Sequence, residues 1–150
     1  MGVINATITE VTINAVIAAV EPVIEYMVPI WAEENGALAN GSYQWAYGNG
    51  AGTGNLNGIV VYVPNGWTCT LVAMGLSLGA TTTATVQAVI NSVEQGSNGD
   101  VTVSSGRSAV NDSFTPVAIT NGQLFNFKTT SVAGGGFPNQ VVAWLRMVKS

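Results

Sequence analysis

A chain of 150 residues suits one domain, but only 8% of its residues are charged, whereas soluble domains usually carry about 25%. The net charge of -4 and the four widely spaced basic residues argue against nucleic-acid binding, which needs clustered lysine and arginine. With no histidine and a single cysteine, the chain lacks the usual general base and the ligands of transition-metal sites. A surface of neutral polar groups associates readily, which indicates a protein that works within an assembly.

The N-terminal segment, residues 3 to 31, is apolar and nearly free of turn signals, and its spacing favours a helix over a strand. Pro22 should kink this helix and Pro29 should end it. Alternating steps of four and three residues form the seam of a heptad repeat, and its side chains are the predicted oligomer or anchor interface: Ile13, Ile17, Val20, Ile24, Met27 and Trp31. β-branched seam residues favour trimers or tetramers in parallel coiled coils. The alternative is a helix that packs on its own β domain.

No membrane span or signal peptide is predicted. The apolar run at residues 15 to 20 is followed at once by Glu21 and Pro22, whereas a span needs about 20 apolar residues. The N-terminus also lacks the basic region that precedes the apolar core of a signal peptide. We therefore expect a protein that is made in the cytoplasm and either works there or is assembled there into a particle that later leaves.

Residues 32 to 150 are predicted to form a β head domain behind this N-terminal helical arm, which is assigned to residues 1 to 31. Seven Asn-Gly dipeptides, a pair that suits tight type I′ turns, separate short runs rich in valine, threonine and aromatic residues. This spacing predicts a mainly β fold, an antiparallel β-sandwich or jelly roll of about eight strands. The last strand, residues 141 to 148, is apolar on both faces, which predicts burial between sheets or at a subunit interface.

Alternation along a long predicted strand, residues 67 to 78, and again along residues 83 to 90 predicts which side chains face the core. A slip near Leu71 and Val72 predicts a β-bulge. Leu76 and Leu78 are expected inside with Ser77 outside. Farther along, Gln87 is expected to face out, between inward-facing residues that include Ala84, Val86, Ala88 and Ile90.

Candidate catalytic and ligand sites are few. Residues 75 to 79 match the Gly-x-Ser-x-Gly pattern, but no helix pattern follows and no histidine exists to activate Ser77, so no enzyme is expected. The acidic residues are too scattered for calcium, and no cofactor is expected. Tyr43, Trp45 and Tyr47 alternate along a predicted strand over residues 42 to 47 and share one face. Such a stripe is typical of a core or subunit interface, and it is also the candidate site for stacking on a sugar.

Several segments are characteristic in combination: Glu34 to Leu38, Tyr43 to Gly50, Val63 to Trp67, Leu76 to Leu78 and Ala143 to Arg146. Together they resemble small virion proteins of tailed bacteriophages, variously described as head fibres, decoration proteins or fibre tips. The resemblance covers about residues 33 to 148. It implies a trimeric β-sandwich head displayed on the particle and attached through the N-terminal arm, and it supplies no catalytic residues.

The leading hypothesis is therefore a structural virion protein at the virion surface, a trimeric capsid decoration protein or short fibre. Its predicted partners are sister copies and other virion proteins of the capsid or tail, with neither nucleic acid nor membrane insertion. The alternative is a receptor-binding fibre tip that recognises host surface glycans, for which three weak sites in a trimer would gain avidity.

Overall fold

The computed structural model describes residues 23–34, 39–44, 47, 51–52, 58–133 and 139–149. These residues hold a sheet of ten strands, paired antiparallel throughout, and a short 3-10 helix at Gly96–Asn98. The strands are β1 (Glu25–Glu34), β2 (Tyr43–Gln44), β3 (Ala51–Gly52), β4 (Ile59–Val60), β5 (Trp67–Ile90), β6 (Val93–Glu94), β7 (Asp100–Asn111), β8 (Val117–Ile119), β9 (Leu124–Ala133) and β10 (Asn139–Lys149).

β5 organises the sheet because its 24 residues pair with different partners in its two halves. Residues 67–78 pair with β10, β8 and the end of β7, and β10 pairs in turn with β1. We call this group the first half-sheet. Residues 82–90 pair with β9, β6 and the beginning of β7, and β9 also pairs with β2 and β4. This group, together with β3 at its edge, is the second half-sheet.

The two half-sheets share one hydrophobic core. Leu76 and Leu145 of the first and Phe125 and Phe127 of the second all belong to a single cluster of buried side chains. The two phenylalanine rings meet edge to face, with centroids 5.3 Å apart. Close packing across the core is direct at Gly99, where a Cβ atom would lie 3.3 Å from Leu71 Cδ2 of the first half-sheet and 3.4 Å from Ala88 Cβ of the second. The sheet therefore curls on itself around this core.

The mainly β, sandwich-like fold predicted from the turn spacing is confirmed, as is the inward row of β5. Leu76 and Leu78 are buried with Ser77 exposed between them. The predicted bulge is confirmed too: Trp144 lies opposite Ala73 and Leu145 opposite Leu71, so Val72 is left without a direct partner. The prediction that Gln87 faces solvent is wrong, because its side chain is buried. Its amide donates a hydrogen bond to the Glu94 carboxylate, which satisfies the buried polar group.

The helix predicted for residues 3 to 31 is wrong for the part that the structure describes. Glu25–Glu34 form β1, which pairs along its whole length with β10. A strand that is apolar on both faces also satisfies heptad spacing, so pairing with β10 decides the conformation here. Pro29, expected to end the helix, sits in the edge strand, where a missing N–H group is tolerated. The predicted domain boundary between residues 31 and 32 falls inside β1.

Candidate assembly interface

The outer face of the first half-sheet carries a continuous apolar surface, which we call the outer patch. Strand register builds it, because Trp31 lies opposite Val142, Val142 opposite Gly75, and Gly75 opposite Val110. Directly opposed residues project from the same side of a sheet, so four strands contribute to one row. A second row runs beside it at the next outward position of β1, β10 and β5. The patch comprises Met27, Pro29, Trp31, Ala73, Gly75, Val110, Val142 and Trp144.

Trp144 lies against the backbone of β5 because the residue beneath it is glycine. A Cβ atom at Gly75 would approach both Trp144 Cη2 and Val142 Cγ1 to 3.2 Å, closer than ordinary van der Waals contact. Beside the indole lies a shallow cavity of about 190 Å³, bordered by Val110, Gln140 and other residues of the three neighbouring strands. The outer patch thus combines a fixed aromatic ring with an adjacent depression, a shape that suits an inserted side chain.

The patch leaves large apolar side chains in solvent. Val110 is 66% exposed, Met27 51% and Trp31 37%. Each square ångström of apolar surface removed from water contributes about 25 cal/mol, so covering this face is favourable. A contiguous exposed apolar patch on a protein surface marks a contact site for another protein or membrane, whereas isolated apolar residues do not.

Polar groups bound the outer patch at both ends, and they are paired within the chain. Arg146 donates two hydrogen bonds to the Glu25 carboxylate, at 2.7 and 2.8 Å. This hydrogen bonding lowers the pKa of Glu25. At the other end, Gln140 Nε2 donates to Glu33 Oε1 at 3.0 Å. Arg146 neutralises Glu25, whereas Glu33 keeps its negative charge because the Gln140 amide is uncharged.

Tyr47 covers part of the free edge of β1 beside the patch. Its backbone N–H donates to the Trp31 carbonyl oxygen at 2.6 Å, and its hydroxyl donates to the Pro29 carbonyl oxygen at 2.8 Å. Its ring meets the Trp31 indole edge to face at 5.9 Å between centroids, and burial raises its pKa. These contacts occupy backbone acceptors that an open edge strand would otherwise present to another chain.

The predicted aromatic stripe over residues 42 to 47 is wrong in its geometry. Within the described residues, strand β2 ends at Gln44, and Tyr47 stands in a turn with a positive φ of 54°. Tyr43 instead lies beneath Lys128, whose ammonium nitrogen is 5.6 Å from the ring centroid. Trp45 lies outside the described residues. Tyr43 and Tyr47 therefore do not form one sugar-stacking face.

The structure describes three of the six predicted anchor residues. Ile13, Ile17 and Val20 lie outside the described residues. Met27 and Trp31 lie on the outward side of β1 and belong to the outer patch, whereas Ile24 precedes the strand, in register with its inward row. The sequence did not point to Val110, because only the fold brings β7 beside this patch. The apolar outer side of β10 did give a signal, since the last strand lacks a polar face.

The described residues do not suggest a reaction centre. Among them, no group of three or more histidine, cysteine, aspartate or glutamate side chains is placed to hold a metal ion. Ser77 lies within β5, opposite Gln140 on one side and Ser108 on the other, instead of on a strand-to-helix turn. No helix in the described part of the chain is long and apolar enough to cross a membrane.

The sequence matches no protein-family model and no curated protein. Among solved structures, the chain is similar to the CBM36-1 domain of a multidomain xylanase from the hindgut metagenome of Trinervitermes trinervoides, with 10% identity, 81% of this chain and 96% of that chain covered, and a TM-score of 0.45. A carbohydrate-binding module CBM36 in complex with calcium and xylotriose shows 14% identity, coverage of 83% and 98%, and a TM-score of 0.41.

The acidic stable capsid structure of Helicobacter pylori bacteriophage KHP30 gives 14% identity, coverage of 85% and 95%, and a TM-score of 0.41. The structural neighbours thus include carbohydrate-binding modules and a phage capsid protein. All these likenesses are distant in sequence and in structure, and they carry no argument about what this chain binds or where it works.

Proposed function

We propose that the protein is a non-catalytic structural protein of a tailed-phage virion, a capsid decoration protein or short fibre. The single observation that carries the proposal is the outer patch, an uncharged apolar face on a domain that has its own packed core. The resemblance to small virion proteins supports the setting, and the low charge of the surface supports close packing with other subunits.

The occupant of the outer patch is a second copy of this chain, and three copies form a homotrimer with their patches turned towards a common axis. Trp31 and Trp144 lie in adjacent rows of the patch, and aromatic residues in a desolvated centre dominate binding energy. Glu25 and Arg146 neutralise each other within each copy, so this end of the patch adds no like-charge repulsion when identical faces meet. Obligate interfaces of this kind resemble a domain core cut in half.

Two matched valines test this arrangement. Val110, in the outer patch, is 66% exposed, and Val93, on the second half-sheet, is 61% exposed. Val110→Asp places a charge in the interface and should raise the dissociation constant of the oligomer by at least about tenfold. Val93→Asp should leave it unchanged. Sedimentation of both variants and the parent chain across a concentration series measures this. A parent chain that stays monomeric at micromolar concentration, or two variants that behave alike, contradicts the proposal.

Residues 1 to 22 form the attachment arm in this proposal, with Ile13, Ile17 and Val20 as the anchoring side chains. Deleting only these 22 residues keeps β1 whole, whereas deletion to residue 31 would remove most of a strand that pairs with β10. The shortened protein should fold and remain trimeric but fail to enter particles. Incorporation at the parent level would contradict the arm's role, and loss of the folded sheet would show that the segment is part of the head.

The alternative role is a receptor-binding fibre tip that recognises host surface glycans. Gold-labelled protein located by electron microscopy of particles separates the two roles. Labels on capsid lattice points support decoration, whereas labels confined to the tail tip support host recognition.

A further inference from the structure

A groove of about 480 Å³ opens at the end of the molecule where β5 begins. Residues 63–70 form one wall and floor, and residues 118–121 form the other wall. We call it the Trp67 groove. Its volume lies within the range of small-molecule sites, about 300–1,000 Å³. None of its lining residues belongs to the outer patch. The groove is therefore separate from the surface that a second copy of the chain is proposed to cover.

The walls of the Trp67 groove are tied together by hydrogen bonds. The Asn121 side-chain oxygen accepts from the Val63 backbone N–H at 3.0 Å, and the Trp67 N–H donates to the Pro64 carbonyl oxygen at 3.1 Å. Gly66 completes this turn with a φ of +75°, a conformation that favours glycine. A groove whose walls are fixed in this way loses little conformational entropy when a ligand binds.

The Trp67 indole is held as a rigid platform. It stacks on the ring of Tyr26, with centroids 5.6 Å apart and planes inclined by 22°. Trp67 lines the groove and is half-buried against the core, whereas its stacking partner Tyr26 is 58% exposed and is not among the lining residues. Aromatic rings offer a large apolar contact area with few rotatable bonds, which makes them efficient binding surfaces.

The remaining lining is uncharged and mixes polar residues with apolar ones, namely Val63, Pro64, Cys69, Ala118 and Ile119. Asn65, Thr70 and Thr120 line the groove, and within the described part of the chain their side chains make no hydrogen bond. No lysine, arginine, aspartate or glutamate is among the lining residues. The groove thus offers amide and hydroxyl groups next to an indole, and the basic residues nearest in the strand register, Lys149 opposite Trp67 and Arg146 opposite Thr70, are not among its lining residues.

We infer that the Trp67 groove binds a neutral carbohydrate. A sugar ring presents C–H groups on one face, which pack on an indole, and hydroxyl groups at its edge, which exchange hydrogen bonds with amides and hydroxyls. An apolar ligand would leave the groove's amide and hydroxyl groups unpaired, and a charged ligand would find no oppositely charged side chain among the lining residues. The inference does not depend on the proposed oligomer, because the two surfaces share no residue.

The full-length protein, screened on a printed array of neutral and sialylated glycans, should bind neutral glycans only. The best neutral oligosaccharide is then titrated by calorimetry and by saturation-transfer NMR. Trp67→Ala should weaken binding by about tenfold, the upper scale of one aromatic contact, while Trp67→Phe retains part of it. Trp31→Ala, which removes an aromatic residue from the outer patch, should leave the sugar affinity unchanged.

A second pair of variants keeps the test decisive if Trp67→Ala does not fold. Asn65 and Asn98 are both exposed and precede a glycine, Asn65 in a turn and Asn98 at the end of the 3-10 helix, and only Asn65 lines the groove. Asn65→Ala should weaken sugar binding, and Asn98→Ala should not. An array with no signal on neutral glycans overturns the inference, as does binding restricted to sialylated glycans. So does an affinity that the two asparagine variants change equally.

Discussion

The outer faces of the two half-sheets differ although they share a core and the strand β5. On the first half-sheet the outward rows are apolar, and several of their side chains are exposed to solvent. On the second, polar side chains satisfy one another: the hydroxyls of Thr85 and Thr102 lie 2.8 Å apart, and Thr83 Oγ1 accepts from the Ser105 N–H at 3.0 Å. The difference teaches that an exposed face can be built from paired polar groups, as on the second half-sheet, or from a continuous apolar row, as on the first.

The contrast depends on neighbours and not on single residues. Glu94, beside the exposed Val93, accepts hydrogen bonds from Lys128 and from the buried Gln87. Val110 instead lies opposite Gly75, in a row that continues to Val142 and beyond. An isolated exposed valine is ordinary on a protein surface, and only the continuity of the apolar row makes Val110 informative.

The largest effects should come from the shared interior, where the two half-sheets should behave alike. Leu76→Ala in the first half-sheet should lower the free energy of unfolding by about 2–5 kcal/mol, and Phe127→Ala in the second by about 3–5 kcal/mol, because both leave cavities in a packed core. Urea denaturation measures both. If either variant loses less than about 1 kcal/mol, that side of the core is not packed as described.

Cys69 belongs to the core cluster and also borders the Trp67 groove, so it tests whether the core is closed beneath that groove. Its side chain is buried, and burial raises the pKa of its thiol, so little reactive thiolate forms near neutral pH. Iodoacetamide should modify the folded protein more than about 100-fold more slowly than the urea-unfolded chain, because reaction requires opening of the core. Mass spectrometry over time gives both rates. Equal rates would show that this end of the core is open to solvent.

Ser77 lies next to Leu76 but on the outward side of β5, so its replacement should affect stability much less than that of Leu76. Ser77→Ala should change the free energy of unfolding by at most about 1 kcal/mol, the scale of one hydrogen bond. Assays with ester and glycoside substrates should show no turnover that depends on this serine, since it lies within a strand instead of on a nucleophile turn. A hydrolysis that disappears in the Ser77→Ala protein would overturn the structural interpretation of this residue.

The smallest effect should come from the polar face of the second half-sheet. The hydrogen bond from Lys128, and then that from Gln87, lowers the pKa of Glu94. A lowered carboxyl pKa stabilises the fold above the group's ordinary pKa, and this stability is lost as the pH falls through the lowered value. Because the Glu94 carboxylate is about half exposed and solvent screens the pair, Glu94→Gln should reduce the acid-dependent loss by only about 0.5 kcal/mol.

Urea denaturation near neutral pH and at about pH 3 measures this acid-dependent loss. A double-mutant cycle supplies its control, because Lys128→Met removes the main cause of the lowered pKa of Glu94. In that background, Glu94→Gln should change the acid-dependent loss much less. A Glu94→Gln protein whose stability falls with acid as steeply as that of the parent would show that this pair does not contribute.

The sequence predicted the interior better than the edges. Alternation along β5 identified Leu76, Leu78 and the bulge at Val72, because burial on one face imposes a period of two. It could not identify Gln87 as buried, because that burial depends on Glu94, which β6 brings alongside after a turn. A polar residue in an outward register is ambiguous until its partner is known.

The same ambiguity explains the error at β1 and the missed parts of the outer patch. Met27 and Trp31 fit a helical seam as well as the outward face of a strand, and only the ladder with β10 distinguishes the two. Val110 gave no local signal, since its place in the patch depends on long-range pairing between β7 and β5. The Trp67 groove was equally hidden, because its two walls are about 50 residues apart in the sequence.

The continuity of β5 also determines how the molecule unfolds. One continuous backbone supplies hydrogen bonds to both half-sheets, so neither can open fully without breaking ladders that anchor the other. Unfolding should therefore be a single cooperative event, with no stable half-molecule along the way. In the virion role proposed above, each copy would therefore stay folded under mechanical load until the whole sheet unfolds at once.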